Sequence, residues 1–105
     1  MILAHIIAKN KQQALQIVTL LLEKQLLLHA AISKKIVYQQ SGDAGALKLQ
    51  KQTLIIGKTK ALLFNDINQE LKQLFVENMP MLYAVPIIYM DEELADYLRA
   101  NTAKV

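Results

Sequence analysis

Apolar residues follow distinct spacings along this 105-residue chain, and each spacing predicts one type of element. Ile2 to Lys9 is a short, isoleucine-rich apolar run that is typical of a buried strand. Asn10 then offers a side chain that can cap a helix, and apolar residues recur three and four positions apart after it. This spacing predicts an amphipathic helix whose apolar side is formed by Ala14, Ile17, Val18, Leu21 and Leu22.

The middle of the chain predicts a β-hairpin. His29 to Gln40 alternates apolar residues, and its polar interruption at Lys34 suits an edge strand. The small residues from Ser41 to Gly45 predict the turn, and Leu47 to Lys58 is the return strand. Because the first half of this return strand is polar, we expect the hairpin to project from the body of the domain.

The last third predicts a helix, a strand and a final helix. The stripe of the first of these helices consists of Leu63, Ile67, Leu71 and Leu74, and Asn78 to Pro80 ends it. Met81 to Met90 is a nearly continuous apolar run and a predicted strand, in which Pro86 lacks an N–H and favours an edge position. Asp91 can cap a short last helix, whose apolar side is formed by Leu94, Tyr97 and Leu98.

The predicted order is β-α-β-β-α-β followed by a terminal helix, which is the split βαβ, or ferredoxin-like, arrangement. We therefore predict the α+β class, with residues 1–105 forming one ferredoxin-like sandwich domain that carries an extra C-terminal helix. This topology places the second and fourth strands at the two sheet edges, which Lys34 and Pro86 favour independently.

Composition adds an expectation about assembly. The hydrophobic fraction is 53% and the mean hydropathy is +0.21, both high for a short chain. Because small domains bury a smaller share of their surface than large ones, we expect hydrophobic surface to remain after folding. Another subunit is the usual cover for such a surface, and a monomer with well-packed apolar strands is the alternative.

Charge and cysteine content narrow the partners and the compartment. The net charge is +3, Arg99 is the single arginine and the lysines are spread along the chain, so we expect no nucleic-acid partner. Cysteine is absent, which excludes disulfides and thiolate metal ligands and fits a reducing compartment. The first apolar run has no basic leader, and the longest uncharged stretch, Asn78 to Met90, is too short to cross a bilayer. We expect a cytoplasmic protein that does not enter a membrane.

Several activities that this fold supports are disfavoured by the residues at their key positions. An acylphosphatase-like enzyme needs an arginine in the loop after the first strand, and that loop is Lys9-Asn10-Lys11. An RNA-recognition module carries aromatic residues on its central strands, and neither Ile2 to Lys9 nor Leu47 to Lys58 has one. The sequence has no nucleophile motif, P-loop or H-x-x-x-H spacing, so we do not expect an enzyme.

The residues that can carry chemistry are isolated. His5 alternates along a buried strand and is expected in the core or at an interface. His29 precedes the second strand, where an imidazole can bind copper or zinc, although an isolated histidine is more often structural. Lys58 closes the third strand and can hold an anion, with a solvated lysine as the alternative. Asp91 to Glu93 is expected to be a helix start and not a pair of catalytic carboxylates.

Motifs near the C-terminus resemble those of the CutA family, the divalent-cation tolerance proteins. Tyr83 to Ile87 is similar to the family's V-A-L-P-I strand, and Asp96 to Thr102 is similar to its D-W-L-R-E-N-T ending. Lys58-Thr59 matches the K-T that closes the third strand, while Tyr38 and Gly42 match the Y and G of a Y-x-W-x-G hairpin motif. The resemblance covers nearly the whole chain and implies a trimer.

Departures from the family pattern fall at its polar pocket residues. The family's Cys in A-A-C-V-N is His29, the Trp of its hairpin is Gln40, and its Pro-Glu before the last strand is Pro80-Met81. The histidine and tyrosine of the family's H-P-Y segment have no clear counterpart. In the family these residues line a pocket between subunits and are the suggested copper ligands. The resemblance therefore implies a degenerate metal site, with His29 as the remaining candidate ligand for copper or another divalent cation.

Two kinds of binding protein and one enzyme remain open. The resemblance implies a homotrimeric CutA-like binding or signalling protein linked to divalent metal tolerance, with Tyr38 and Lys58 as candidate ligand-binding residues. The alternative is a PII-like trimeric sensor that binds a nucleotide or small molecule between subunits, using Lys58 and the loop from Gln39 to Ala46. The third is a small hydrolase or isomerase acting at the subunit cleft, for which no nucleophile–base pair can be named.

Overall fold

The computed structural model describes the whole chain except Ser41, Asp43 and Ala44, so the turn expected at Ser41 to Gly45 lies largely outside the described residues. The elements follow the predicted order, with a short 3-10 turn at Ala61–Leu63 leading into the second helix. They are β1 (Ile2–Ala8), α1 (Lys11–Glu23), β2 (Ala30–Gln40), β3 (Leu47–Thr59), α2 (Phe64–Leu74), β4 (Met81–Pro86) and α3 (Glu92–Asn101).

The four strands form one antiparallel sheet in the order β2-β3-β1-β4. This order confirms the ferredoxin-like topology and places β2 and β4 at the edges, as Lys34 and Pro86 predict. In the centre of the sheet, Ile2 of β1 lies opposite Thr59 of β3, and Ala8 lies opposite Thr53.

The core lies between one face of the sheet and helices α1 and α2. Along β1 buried and half-buried residues alternate strictly, so this strand presents only one face to the helices. The predicted stripes of α1 and α2 supply the other side of the core, except that Leu22 is 39% and Leu74 is 47% exposed. On α3, Tyr97 of the predicted apolar side is 51% exposed. The fully buried members of the core include Ile6, Ile17, Leu21, Ile55, Ile67 and Leu71.

Side-chain caps start the first and last helices. The Asn10 side-chain oxygen accepts a hydrogen bond from the Gln13 backbone N–H at 2.8 Å, as predicted. The Asp91 carboxylate accepts one from the Leu94 N–H at 3.3 Å. The segment after α3 is held to the body because Lys60 Nζ donates to the Ala103 carbonyl at 2.9 Å.

The last strand is shorter than predicted. It ends at Pro86 and not at Met90, because Pro86 lies opposite Ile2, the first residue of β1. Beyond that point β1 offers only the carbonyl of Met1, which accepts a hydrogen bond from Ile87 at 3.0 Å. The length of β4 is therefore set by its partner strand, and the apolar residues after Pro86 form a connection to α3.

The β2–β3 hairpin projects from the body of the domain, as expected. Because β1 ends at Ala8, opposite Thr53, the segments Lys35–Gln40 and Leu47–Gln52 pair only with each other. We call this part the ribbon. It makes the molecule elongated, with extents of 51 × 31 × 19 Å and a radius of gyration of 15.3 Å, against about 13 Å for a compact domain of this length. Among the described residues, no helix has the length and apolar character needed to cross a bilayer.

Candidate functional site

One face of the sheet is left uncovered by α1 and α2, and we call it the open face. It carries the residues that alternate with the core positions of β1, together with their direct partners on β3 and β4. Most of these residues are apolar, and those on β4 are 40 to 61% exposed. The apolar members of the open face are Leu3, Ile7, Leu54, Ile56, Met81, Tyr83 and Val85.

A histidine–tyrosine pair lies in the centre of the open face. His5 Nδ1 and the Tyr83 hydroxyl are 3.1 Å apart, and the two ring centroids are 4.9 Å apart. The pair forms because His5 of β1 is directly opposite Tyr83 of β4. His5 is half-buried on the face that α1 and α2 do not cover, so it lies outside the core, and its place at an interface stays a prediction.

Lys58 also belongs to the open face, at the end of β3 where it lies opposite Leu3. Lys58 is half-buried, and its backbone carbonyl accepts a hydrogen bond from the Leu28 backbone N–H at 2.9 Å. In the described part of the chain, its ammonium has no hydrogen-bond partner, so it is available to a ligand or to a neighbouring subunit.

His29 is exposed and precedes β2. Its ring stacks on Tyr97 of α3, with centroids 6.4 Å apart and an angle of 25° between the planes. The residues of the described ranges contain no group of three histidine, cysteine or acidic side chains that could hold a metal ion. One imidazole beside a tyrosine does not meet the ligand count of a stable divalent-cation site, so a single subunit does not fit a bound metal.

Tyr38 lies far from Lys58. It is 64% exposed on the ribbon, opposite Leu49. Leu49 and Lys58 are nine positions apart on β3, which is roughly 30 Å at about 3.3 Å per residue. Because side chains alternate along a strand, Tyr38 also points to the opposite face of the sheet from Lys58. The two candidate ligand-binding residues do not meet within one subunit.

The ribbon exposes a second apolar surface, on the face that carries Tyr38. Four large side chains are between 59 and 70% exposed there. Their register makes them neighbours across the two strands, since Ile36 lies opposite Lys51, Tyr38 opposite Leu49 and Gln40 opposite Leu47. The apolar members are Ile36, Tyr38, Leu47 and Leu49.

Five lysines that are spread along the sequence come together at the base of the ribbon. They line a cleft of about 450 Å³ beside the start of α1, together with Asn10 and Thr53. Sequence spacing hides this cluster, because the lysines come from α1, from the loop before it and from two strands. The lysines are Lys9, Lys11, Lys34, Lys35 and Lys51.

These features define a ferredoxin-like domain with an extra C-terminal helix, one helix-covered sheet face and one open apolar face. The chain belongs to the CutA1 divalent ion tolerance protein family, whose model matches residues 2–101. The structure confirms the resemblance that the C-terminal motifs indicate.

Solved CutA structures share this fold. CutA1 from Pyrococcus horikoshii superposes with a TM-score of 0.83 at 19% identity, covering 99% of this chain and 100% of that one. The divalent cation tolerance protein of Thermus thermophilus gives 0.81 at 24% identity, with coverages of 98% and 100%. The periplasmic divalent cation tolerance protein CutA of Archaeoglobus fulgidus gives 0.80 at 24%, with coverages of 96% and 98%. At these identities the likeness shows the fold alone, and no curated protein matches the sequence.

Proposed function

We propose that this chain is a homotrimeric, non-enzymatic binding or signalling protein that is linked to divalent metal tolerance. The open apolar face of the sheet is the observation that carries this proposal, since a soluble subunit rarely leaves such a face bare. Membership of the CutA1 family supports the link to metal tolerance. The environment of His5 supports a non-enzymatic role. Among the described residues its side chain is hydrogen-bonded to Tyr83, and not to a serine or threonine that could act as a nucleophile.

Two further features support assembly through the sheet. Both β2 and β4 are edge strands with backbone groups free to pair with another chain. The ribbon is two-stranded, and an isolated two-stranded hairpin is marginal in water without further packing. Pairing of edge strands across subunits, together with burial of the ribbon's apolar side chains, would stabilise both features at once. This arrangement also supports the trimer that the family resemblance implies.

The oligomeric state tests the proposal directly. Light scattering at micromolar protein should give the mass of three chains of 11.9 kDa each. Val85→Lys places a charge on the open face and should lower this mass, whereas Val76→Lys makes the same change at a position that is 83% exposed outside that face and should keep it. A monomeric wild type would refute the trimer, and a trimeric Val85→Lys protein would exclude the open face as the interface.

Copper or another divalent cation is the proposed metal, and it requires two subunits. A single subunit contributes His29, which is exposed and can meet a ligand of a neighbouring subunit. Calorimetric titration of the wild type with Cu²⁺ should release heat that His29→Ala lacks, with the mass of both proteins checked by light scattering. No heat in the wild type would end the metal proposal, and equal heat in both proteins would exclude His29 as a ligand.

A PII-like sensor is the second candidate, favoured by the unpartnered ammonium of Lys58 on the open face. Thermal-shift measurements with ATP, ADP and cyclic nucleotides test it. A shift that Lys58→Gln abolishes supports a nucleotide at that lysine, and no shift with any nucleotide refutes the PII-like function.

For either function we propose a cytoplasmic location, which the absence of cysteine supports.

A further inference from the structure

The cleft at the base of the ribbon is strongly electropositive. Of the residues that line it, five are lysines and none is acidic. The two side-chain ion pairs among the described residues, Lys24–Glu70 and Arg99–Asp96, lie elsewhere. Lys9 Nζ donates to Asn78 Oδ1 at 2.6 Å, and the side chain of Lys35 alternates with that of Lys34 along β2. Lys11, Lys34 and Lys51 are therefore the lysines left to supply the charge of the cleft, and no ion pair of the described residues neutralises them.

Two of the lysines are held near each other by strand register. Lys34 of β2 lies opposite Thr53, and Lys51 of β3 lies opposite Ile36, so Lys34 and Lys51 are diagonal neighbours on the same face of the sheet. Like charges at neighbouring cross-strand positions repel each other. An anion bound by both ammonium groups would offset this repulsion.

The start of α1 adds a main-chain donor to the same cleft. In this 13-residue helix the Asn10 side chain accepts a hydrogen bond from the N–H of Gln13, and the Asn10 carbonyl accepts one from the N–H of Ala14. Among the residues that line the cleft, Lys11 has a backbone N–H with no acceptor in the described part of the chain. The first turn carries no acidic residue, and Lys11 adds a positive charge where the helix dipole is already positive. A negative ligand would accept a hydrogen bond from this N–H and would offset both the charge of Lys11 and the helix dipole.

A largely buried threonine provides independent evidence that the cleft is built for a ligand. Thr53 lines the cleft and is only 6% exposed. Its main chain belongs to the sheet, where Thr53 lies opposite Ala8 on one side and Lys34 on the other. Among the described residues its hydroxyl has no hydrogen-bond partner, and it is not one of the fully enclosed polar atoms, so it can donate to a ligand in the cleft. Polar groups of buried residues are normally paired.

We propose that this cleft binds a phosphate-bearing anion of the size of a di- or triphosphate. The oxygens of the phosphate chain would accept hydrogen bonds from the Lys11 N–H at the start of α1, from the Thr53 hydroxyl and from the ammonium groups of Lys34 and Lys51. The volume of about 450 Å³ lies within the range of small-molecule sites. The site is formed within one subunit and is separate from Lys58, which belongs to the open face.

Calorimetry and thermal shift with inorganic pyrophosphate and with ATP test the proposal. The wild type should bind at least one of these probes at micromolar to millimolar concentration. The double variant Lys34→Gln/Lys51→Gln should bind at least about tenfold more weakly, since charge-assisted hydrogen bonds are lost. Thr53→Val preserves the shape of the side chain and should weaken binding several-fold. Lys104→Gln is the control: Lys104 is exposed and follows Ala103, whose N–H donates to the Gln25 carbonyl just past the end of α1, whereas the cleft lies beside the start of that helix.

Each outcome of the test supports or overturns the site. Equal affinity for both probes indicates that the phosphate chain alone is recognised, and tighter binding of ATP indicates that the nucleoside also makes contact. In the absence of anion the double variant should melt no lower than the wild type, because a repulsion is removed, and this shows that it is folded. The site is refuted if neither probe binds, if Lys104→Gln weakens binding as much as the double variant, or if only Lys58→Gln weakens it.

Discussion

Replacing Gly57 by alanine should destabilise the protein, although alanine is normally the better residue in a strand. Gly57 lies in the middle of the sheet, opposite Ala4 on one side and Ala30 on the other. A Cβ atom there would be 2.6 Å from the carbonyl oxygen of His29 and 2.8 Å from a methyl group of Leu27, whereas ordinary contacts begin near 3.4 Å. Because the closer atom belongs to the backbone, it cannot rotate away, and the entry into β2 has to move by several tenths of an ångström.

The magnitude follows from two opposing contributions. Overpacking of a well-packed site costs about 1–3 kcal/mol. The lower entropy of alanine in the unfolded chain offsets about 0.4–1 kcal/mol of this cost. We therefore expect Gly57→Ala to lower the free energy of unfolding by about 1–2 kcal/mol. For a domain near this size that loss lowers Tm by about 4–8 °C per kcal/mol.

Urea unfolding followed by circular dichroism measures this loss, with wild type and variant compared at one protein concentration. Gly42→Ala is the matched control, because a Cβ at Gly42 meets no atom within 4 Å and its φ is not positive. The control should be as stable as the wild type or slightly more stable. If Gly57→Ala unfolds at the wild-type urea concentration, the close approach of His29 to β3 is wrong.

The same unfolding assay checks three further expectations. Thr59→Val should raise stability by about 1 kcal/mol, because the buried Thr59 hydroxyl has no hydrogen-bond partner among the described residues; a loss of stability would reveal a partner. Asn10→Ala should lower it by about 1 kcal/mol through loss of the α1 cap, and an unchanged midpoint would show that water replaces the cap. Leu71→Ala should cost about 2–5 kcal/mol, whereas Leu62→Ala, at a position 74% exposed, should cost little; similar losses for both would contradict the described core.

The fold was predictable where local patterns and the sheet topology require the same structure. The cap at Asn10 and the spacing of the residues after it predict α1, and its buried residues include three of the predicted stripe. Lys34 and Pro86 predict edge strands because each conflicts with a central position, and both lie on edges. The end of β4 was not predictable from its own residues, since apolar side chains continue past Pro86. That end depends on where β1 begins, and strand pairing is not visible in a local pattern.

The candidate site was less predictable because long-range register creates it. His5 and Tyr83 are 78 positions apart and meet only because β1 and β4 pair in one particular register. The lysine cleft likewise depends on the pairing of β2 with β3 and on the entry of α1 beside them. A sequence shows that lysines are spread along the chain, but not that five of them line the same cleft as Thr53. The alternation of side chains within each strand was the available signal for which residues share a face. It identifies neighbours on different strands only when the pairing register of those strands is known.

The positions that match the family motifs differ in burial, and this difference separates two kinds of binding. Thr59 and Thr102 are buried in one subunit, and the Thr102 hydroxyl donates to the Leu98 carbonyl at 2.7 Å, so these positions maintain the frame. His29 and Tyr38 are exposed, so a ligand held by them needs atoms from a second subunit. The phosphate cleft needs none, because its donors belong to one chain. If Val85→Lys yields a folded monomer, copper binding through His29 should be lost while pyrophosphate binding persists. Retention of both in the monomer would contradict a metal site between subunits, and loss of both would contradict a cleft that is complete within one subunit.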